Sequence, residues 1–226
     1  MTNTSYIFLA GASRGVGREI ANCFTAQHFP VKALLRTEAA QAELADLGIR
    51  TVIGDAMNVD DVERAMLGDE PIQAVISTVG GFPADEVKPD YIGNKNLIDA
   101  AVKAGVKKFI LVTSIGTGNS ASALPAQTLA ALKPVLIEKN KAEQHLIKSG
   151  LNYTIIRPGG LISEPATGNA ILTEDTHVIG SIHRADVAQI VYRCFKSPSA
   201  NKKVLSVVDR NMIYPGLPGF MEFKLK

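Results

Sequence analysis

The sequence predicts an α/β protein with a doubly wound parallel sheet in a single domain spanning 1–226. Short and nearly continuous apolar runs alternate with longer segments of helical periodicity, and short connections join them. Strands without polar alternation are expected where helices cover both faces of a parallel sheet. A chain of 226 residues is long enough to bury one large core, and neither a repeat nor a linker divides it.

Each element follows from its apolar pattern. Strands are predicted at 6–10, 31–35, 50–53, 74–77, 109–113, 153–156 and 204–208. Helices are predicted to begin near Gly15, Glu38, Val59, Tyr91 and Pro134, and a later one is predicted around Asp186. The segment 116–132, rich in Gly, Ser, Ala and Thr, is predicted to be a long irregular loop. Loops of that length inside a domain are often active-site covers.

The first strand runs directly into a glycine-rich loop that opens a helix. The loop reads Gly11-Ala12-Ser13-Arg14-Gly15-Val16-Gly17. The first N–H groups of a helix have no intrahelical partner and its dipole favours negative charge, so this loop predicts a pyrophosphate site. We expect Gly11 to allow the tight turn, Gly15 the close approach of the backbone, and Gly17 the packing of helix on sheet. A strand, this loop and a helix in that order predict a Rossmann-type NAD(P)-binding fold. A glycine turn between two core elements is the alternative.

The end of the second strand indicates which cofactor is bound. NAD-binding folds usually carry an acid there for the ribose 2′-hydroxyl, but this chain carries Arg36 and has no acid before Glu38. A guanidinium binds phosphate bidentately, so NADP(H) is predicted over NAD(H), with Arg14 near the same phosphate. A solvated arginine is the alternative. After the third strand, Gly54-Asp55-Ala56 would place a carboxylate at the adenine amino group, or simply form a turn.

Composition excludes several classes of function. The net charge of +2, with lysines scattered among acids, argues against nucleic acid as a partner. Cys23 and Cys194 lack metal-like spacing and predict buried reduced thiols, so no metal site is expected. No apolar run reaches membrane-spanning length, and we expect a cytoplasmic protein, or one of an organelle stroma if a presequence was removed. The C-terminal tail 211–226 either packs on the domain or presents a motif to a protein partner.

Further motifs lie beyond the glycine loop and Gly54-Asp55. In order along the chain they are Gly93–Ala101, Gly105–Phe109, Val112–Ser114, Lys139–Glu143, Tyr153–Gly160 and Asp186–Ala188. Their order and spacing resemble the atypical short-chain dehydrogenase/reductase proteins, the NAD(P)-binding group that includes NmrA-like proteins and flavin/biliverdin-IXβ reductases. The resemblance extends from Gly11 to about Val208 and implies an NAD(P)H-dependent oxidoreductase.

The chain departs from the catalytic pattern of the wider superfamily, which is Ser followed by Tyr-x-x-x-Lys. Ser114 falls on the serine and Lys139 on the lysine that holds the nicotinamide ribose, so the resemblance implies these two as catalytic residues. The tyrosine position holds Val135, which cannot carry a proton. Proton transfer from a positioned side chain contributes ~10²–10⁴ in rate, so an ordinary carbonyl reductase would rarely lack it.

Hydride transfer without that acid suits an electron-poor planar acceptor such as a flavin, a quinone or a bilin. Such a ligand would lie at the carboxyl ends of the strands, with 115–134 and 158–182 on the substrate side. We expect the cofactor to contact the backbone at Thr78-Val79-Gly80 and Pro158-Gly159-Gly160, besides Lys139. The acceptor pocket is predicted to comprise Phe82, Ser114, Ile115 and Gly116, and the alternative for Phe82 is packing within its loop.

A function of a second class stays open. The protein would then be a non-catalytic NADP(H)-binding redox sensor or scaffold. Val135 in the tyrosine position favours this alternative, whereas the retained Ser114 and Lys139 favour the reductase, because a pure sensor needs neither.

Overall fold

An eight-stranded sheet lies at the centre of the fold. The structure is a computed structural model and describes residues 4–68, 70–82, 84–214 and 219–226. The strands are β1 Tyr6–Ala10, β2 Val31–Leu35, β3 Arg50–Ile53, β4 Ile72–Ser77, β5 Lys108–Val112, β6 Asn152–Pro158, β7 Gly160–Ile162, β8 Ala170–Thr173, β9 Ser181–His183 and β10 Lys203–Asp209. The helices are α1 Gly15–Ala26, α2 Gln41–Asp46, α3 Val59–Met66, α4 Pro89–Lys103, α5 Ala126–Lys148 and α6 Arg184–Lys196. Short 3₁₀ turns cover Glu38–Ala40, Gly118–Ala123, Pro198–Ala200 and Arg210–Met212.

The strand order of the sheet is β3-β2-β1-β4-β5-β6-β10-β8. All neighbours pair in parallel except β10 with β8, which is antiparallel. The order reverses between β1 and β4, which opens a crevice at the carboxyl ends of these two strands. The predicted doubly wound parallel sheet is therefore confirmed, with one antiparallel pair at the β8 edge that the sequence did not indicate. The small β7–β9 sheet was not predicted.

Helices cover both faces of the sheet and divide the core into two layers. On one face, α1 and α6 bury Ile20, Phe24 and Val191 against the sheet. On the other, α4 and α5 bury residues such as Leu97 and Leu146 against it. The apolar runs of the strands face both layers, which explains why they show no polar alternation.

The helix predicted from Pro134 begins earlier, at Ala126, and contains that proline in its interior. The irregular segment is correspondingly shorter, because 118–123 forms a 3₁₀ turn. Proline favours the first turn of a helix, so the sequence suggested a start there. The residues before it, Ala126–Lys133, are mostly strong helix formers and extend the helix towards the N-terminus.

The described end of the chain packs along the β8 edge of the sheet. The Phe223 N–H donates to the Leu172 carbonyl at 2.7 Å, and the Thr173 hydroxyl donates to the Met221 carbonyl at 2.7 Å. Phe223 also packs against the core layer of α1 and α6. Of the two alternatives for the tail, residues 219–226 show packing on the domain, while Pro215–Pro218 lie outside the described residues.

Candidate active site

A cleft of about 1000 Å³ lies at the carboxyl ends of the strands, where the strand order reverses. Loops that follow β1 to β6 line it. Most of the residues predicted for the site meet in its walls: Gly11, Ser13, Arg14, Gly15, Val16, Gly17, Arg36, Asp55, Ala56, Thr78, Val79, Gly80, Phe82, Ser114, Lys139 and Pro158.

Four residues predicted for the site do not line this cleft. Ile115 is buried in a separate apolar cluster that contains Val208, and Gly116 faces Leu124. Gly159 packs against the Gly180 backbone, since an added Cβ would lie 2.2 Å from that carbonyl oxygen. Gly160 is exposed in β7, beside Ser181. After Pro158 the chain returns to the cleft at Leu161, whereas these four residues face other parts of the fold.

The glycine loop has the geometry expected of it at two positions. Gly11 has φ +95°, a left-handed conformation that favours glycine. A Cβ added to Gly17 would lie 2.0 Å from the Gly11 carbonyl oxygen, so Gly17 allows helix α1 to pack on the end of β1. Gly15 lies in open space whose nearest neighbour is the Arg184 side chain. No side-chain cap from Arg14 occupies the N-terminus of α1, which leaves its first N–H groups facing the cleft.

Besides Arg184, three arginines lie near the glycine loop, and one of these three was not predicted. Arg36 is exposed at the mouth of the cleft, directly after β2. Arg14 instead lies over the Phe82 ring, with its guanidinium carbon 5.2 Å from the ring centroid. The unpredicted Arg18 donates to the Ser13 carbonyl at 3.3 Å and to Glu43 at 2.8 Å, so it braces the loop from within α1.

Asp55 lines the cleft but forms the turn that was its structural alternative. Its carboxylate accepts from the Met57 N–H at 2.9 Å, and its own N–H donates to Asp61 at 2.9 Å. This N–H, followed by the side chain of Arg64, lowers the pKa of Asp61.

Lys139 makes an ion pair that sequence reasoning missed. Its ammonium lies 2.6 Å from Asp90 Oδ1, and the Asp90 side chain is fully buried. The other Asp90 oxygen accepts from the Gly81 N–H at 2.9 Å. Gly80 is needed for this approach, because an added Cβ would lie 2.8 Å from the ammonium. Asp90 lies in the first turn of α4, where an acid usually stabilises the positive end of the helix dipole. The sequence therefore did not indicate that Asp90 is buried and paired with Lys139.

Asn94, one turn after Asp90 in α4, holds the loop after β4. Its amide donates to the Val79 carbonyl at 3.1 Å and to the Asp90 carbonyl at 2.6 Å, and its oxygen accepts from Ser77 at 2.6 Å. The Val79 N–H in turn donates to Ser77. This buried network sets the backbone of Val79 and Gly80 at the cleft wall.

A buried ion pair lies behind the cleft and joins β5, β6 and α5. Arg157 donates to both carboxylate oxygens of Glu143, at 3.1 and 2.6 Å, and to Asn119 at 2.6 Å. Thr113 donates to the same carboxylate at 2.6 Å. The residues that follow Thr113 and Arg157 are Ser114 and Pro158, which line the cleft. The ion pair therefore positions both strand ends.

The cleft carries a serine but no tyrosine in its described walls. Ser114 is partly exposed there, and its hydroxyl donates to the Ile115 carbonyl at 2.9 Å. Val135, four residues before Lys139 in α5, is buried and does not line the cleft. Among the described residues, the site therefore has no side chain placed as the usual general acid.

The described residues also bring together His183, Asp186 and Asp209, all buried, with ligand-type atoms within 4.8 Å of one another. Sequence reasoning missed this cluster because the three residues lie far apart in the chain or in different elements. Asp186 lies in the first turn of α6, and its carboxylate accepts from the Thr167 and Gly168 N–H groups at 2.8 and 2.9 Å. The cluster thereby ties the loop before β8 to α6.

With the site in view, comparisons with known proteins give its family. The model of the NAD(P)H-binding family matches residues 11–198. This chain belongs to that family. The resemblance to atypical short-chain dehydrogenase/reductase proteins is thereby confirmed.

None of the described helices is long and apolar enough to cross a membrane.

Three relatives illustrate the NAD(P)H-binding family. The solved structure of the anaerobillin reductase ChuY from Escherichia coli O157:H7 is 35% identical, has a TM-score of 0.83, and aligns over 95% of this chain and 100% of its own. An uncharacterized chloroplastic protein of Arabidopsis thaliana is 36% identical over 92% of this chain and 78% of its own. Sanguinarine reductase of Eschscholzia californica is 29% identical over 79% of each chain. Reductases among the relatives agree with the expected oxidoreductase class.

Proposed function

We propose that the protein is an NADPH-dependent reductase of a planar conjugated acceptor of the flavin, quinone or bilin type. The observation that carries this proposal is the combination in one cleft of Ser114, Lys139 and a diphosphate-type glycine loop, without a tyrosine acid in the described walls. The reductase names of two relatives support it.

The residues present fit an NADP(H) molecule. The free N–H groups at the start of α1 suit a diphosphate, and Arg36 at the mouth suits a 2′-phosphate. Lys139, held by Asp90 beside the loop after β4, would donate to the nicotinamide ribose. Bound there, the cofactor supplies hydride chemistry. The backbone at Thr78, Val79 and Pro158 would support its nicotinamide half.

The acceptor side of the cleft offers binding groups rather than an acid. Phe82 is 58% exposed and Arg14 lies over its ring, so a planar ligand would stack on the other ring face. Ser114 would donate a hydrogen bond to a carbonyl or ring nitrogen of the acceptor after rotation away from the Ile115 carbonyl. With the hydride supplied by a bound cofactor, the acceptor would take its proton from water, so no side chain of the described walls would need to supply one.

A test is NADPH oxidation by purified protein with a panel of flavins, quinones and bilins. Turnover with one class of acceptor supports the reductase. Ser114→Ala should then lower kcat/KM by a factor that corresponds to about 0.5–1.5 kcal/mol of activation free energy, the contribution of one neutral hydrogen bond. The control is Arg36→Glu, in which NADPH binding is weakened and the acceptor side is untouched. A higher NADPH concentration should therefore restore turnover in this variant. The outcome against the proposal is tight NADP(H) binding without turnover of any acceptor.

That outcome would favour the second candidate, a non-catalytic NADP(H)-binding redox sensor or scaffold. The burial of Val135 away from the cleft is the observation in its favour. The Lys139–Asp90 pair is present although the tyrosine is absent, which favours the reductase. The chloroplastic relative makes an organelle stroma an alternative to the cytoplasm as the place of action.

A further inference from the structure

A second and smaller cavity adjoins the cleft beside the glycine loop. Its volume is about 360 Å³. Arg14, Gly15, Arg18 and Arg184 line both spaces, so the cavity continues from the cleft. Its outer wall is the segment around Ser163, which follows β7 on the side of the acceptor. A ligand in the cleft therefore has room to extend a side arm there.

Arg184 stands at the junction of the two spaces, and sequence reasoning did not identify it. It is the first residue of α6, and its Nη1 donates to the Ser163 hydroxyl at 2.5 Å and to the Leu161 carbonyl at 3.3 Å. Its Nε lies 3.7 Å from where a Cβ on Gly15 would stand. In the described part of the chain, Nε and Nη2 have no hydrogen-bond acceptor, so two donor sites of a positioned guanidinium face the junction.

The charges around the junction favour an anion. Among the described residues no carboxylate forms an ion pair with Arg184: Glu43 is paired with Arg18, the Glu164 side chain at the cavity rim is 74% exposed, and Glu19 is the other acid that lines the cavity. Arg14 lines both spaces as a second cation, and its guanidinium lies over the Phe82 ring. An acceptor seated at Phe82 would share the cleft with both guanidinium groups.

We infer that Arg184 binds a carboxylate carried by the acceptor, so that the substrate class is a planar acceptor with an acidic side arm. This inference rests on the proposed reductase function. A guanidinium with two free donor sites matches a carboxylate bidentately. The cofactor diphosphate is the competing anion. Arg184 is held by Ser163 and Leu161, on the acceptor side, whereas the N-terminus of α1 already supplies donors for a diphosphate.

The experiment compares a bilin that has free carboxylates with the dimethyl ester of the same bilin. Their dissociation constants are measured by absorbance titration, with NADP⁺ bound, for the wild type, Arg184→Met and the control Arg193→Met, an exposed arginine on the same helix. We expect the wild type and the control to prefer the free acid by about tenfold to a hundredfold, as for one hydrogen-bonded charged group. Arg184→Met should lose this preference, and its NADPH affinity should not change.

Two results would overturn the inference. If Arg184→Met weakens NADPH binding and affects acid and ester equally, the guanidinium serves the diphosphate. If the wild type binds acid and ester alike, no carboxylate site exists there. Titration needs no turnover, so a failure of the reductase proposal in the oxidation assay is distinguished from a failure of this one.

Discussion

The ion pair between Lys139 and Asp90 makes a quantitative prediction about folding and cofactor binding together. Removal of the ammonium in Lys139→Met leaves the Asp90 carboxylate, which is fully buried, with the Gly81 N–H as its one remaining hydrogen-bond donor among the described residues. Breaking a buried pair by removing one partner costs about 3–5 kcal/mol. The Lys139 side chain keeps 16% exposure, so we expect a loss of about 3 kcal/mol, at the low end of that range.

The assay is urea unfolding of a double-mutant cycle. Asp90→Asn in the Lys139→Met background removes the stranded charge, and its amide oxygen still accepts from the Gly81 N–H. We expect the double variant to recover most of the lost free energy of unfolding, with an unchanged m-value. NADPH affinity should stay low in the double variant, because the proposed ribose contact is still missing.

The reasoning is refuted if Lys139→Met costs less than about 1 kcal/mol, since the carboxylate would then be well solvated without its partner. If the double variant binds NADPH as tightly as the wild type does, the proposed contact between Lys139 and the nicotinamide ribose is refuted. A bell-shaped pH profile of turnover that vanishes with Lys139 would show that the lysine itself donates the proton.

Three further predictions concern the cofactor and the thiols. Arg36→Glu should weaken NADPH binding by a few kcal/mol (about 2–3) and leave NADH binding nearly unchanged in parallel titrations, and equal losses would contradict it. Gly15→Val should bind neither cofactor; because the φ of +57° at this position also strains a branched side chain, its fold is checked by circular dichroism beside the titration. Gly17→Ala should fail to fold in the same measurement, because its Cβ would lie 2.0 Å from a carbonyl oxygen. Burial raises the pKa of Cys194 to about 12, so the free energy of unfolding should fall as pH rises above 9, less steeply in Cys194→Ala; a slope that is the same in both would count against it.

The elements that the sequence predicts well are those in which the chain's own pattern decides the structure. β1, β2 and β3 have the predicted bounds: β1 and β2 are mostly apolar, β3 ends in Val52-Ile53, and a glycine or an arginine follows each strand. β8 and β9 were missed because they are short and are stabilised by pairing with distant strands. Periodicity within a few residues carries no information about such pairing.

The same distinction holds for the candidate site. Residues that directly follow a predicted strand, such as Arg36, Thr78 and Ser114, meet in the cleft because parallel strands end at one edge. Asp90 and Arg184 were missed because helices that begin elsewhere in the chain bring them to the cleft. Tertiary packing of α4 and α6 decides their position, and the sequence shows only helix-start residues there.

The Arg157–Glu143 pair has a consequence for how a ligand would be received. Since its members are 5% and 0% exposed and join three elements, the relative placement of the strand ends at Ser114 and Pro158 is determined when the chain folds. A ligand that uses this wall encounters a preorganised surface and loses little affinity to rearrangement of the protein. Adaptation to ligands of different shape is then left to the opposite wall, where Phe82 and Arg14 are exposed. We therefore expect differences in acceptor choice among relatives to arise from that wall rather than from the strand ends.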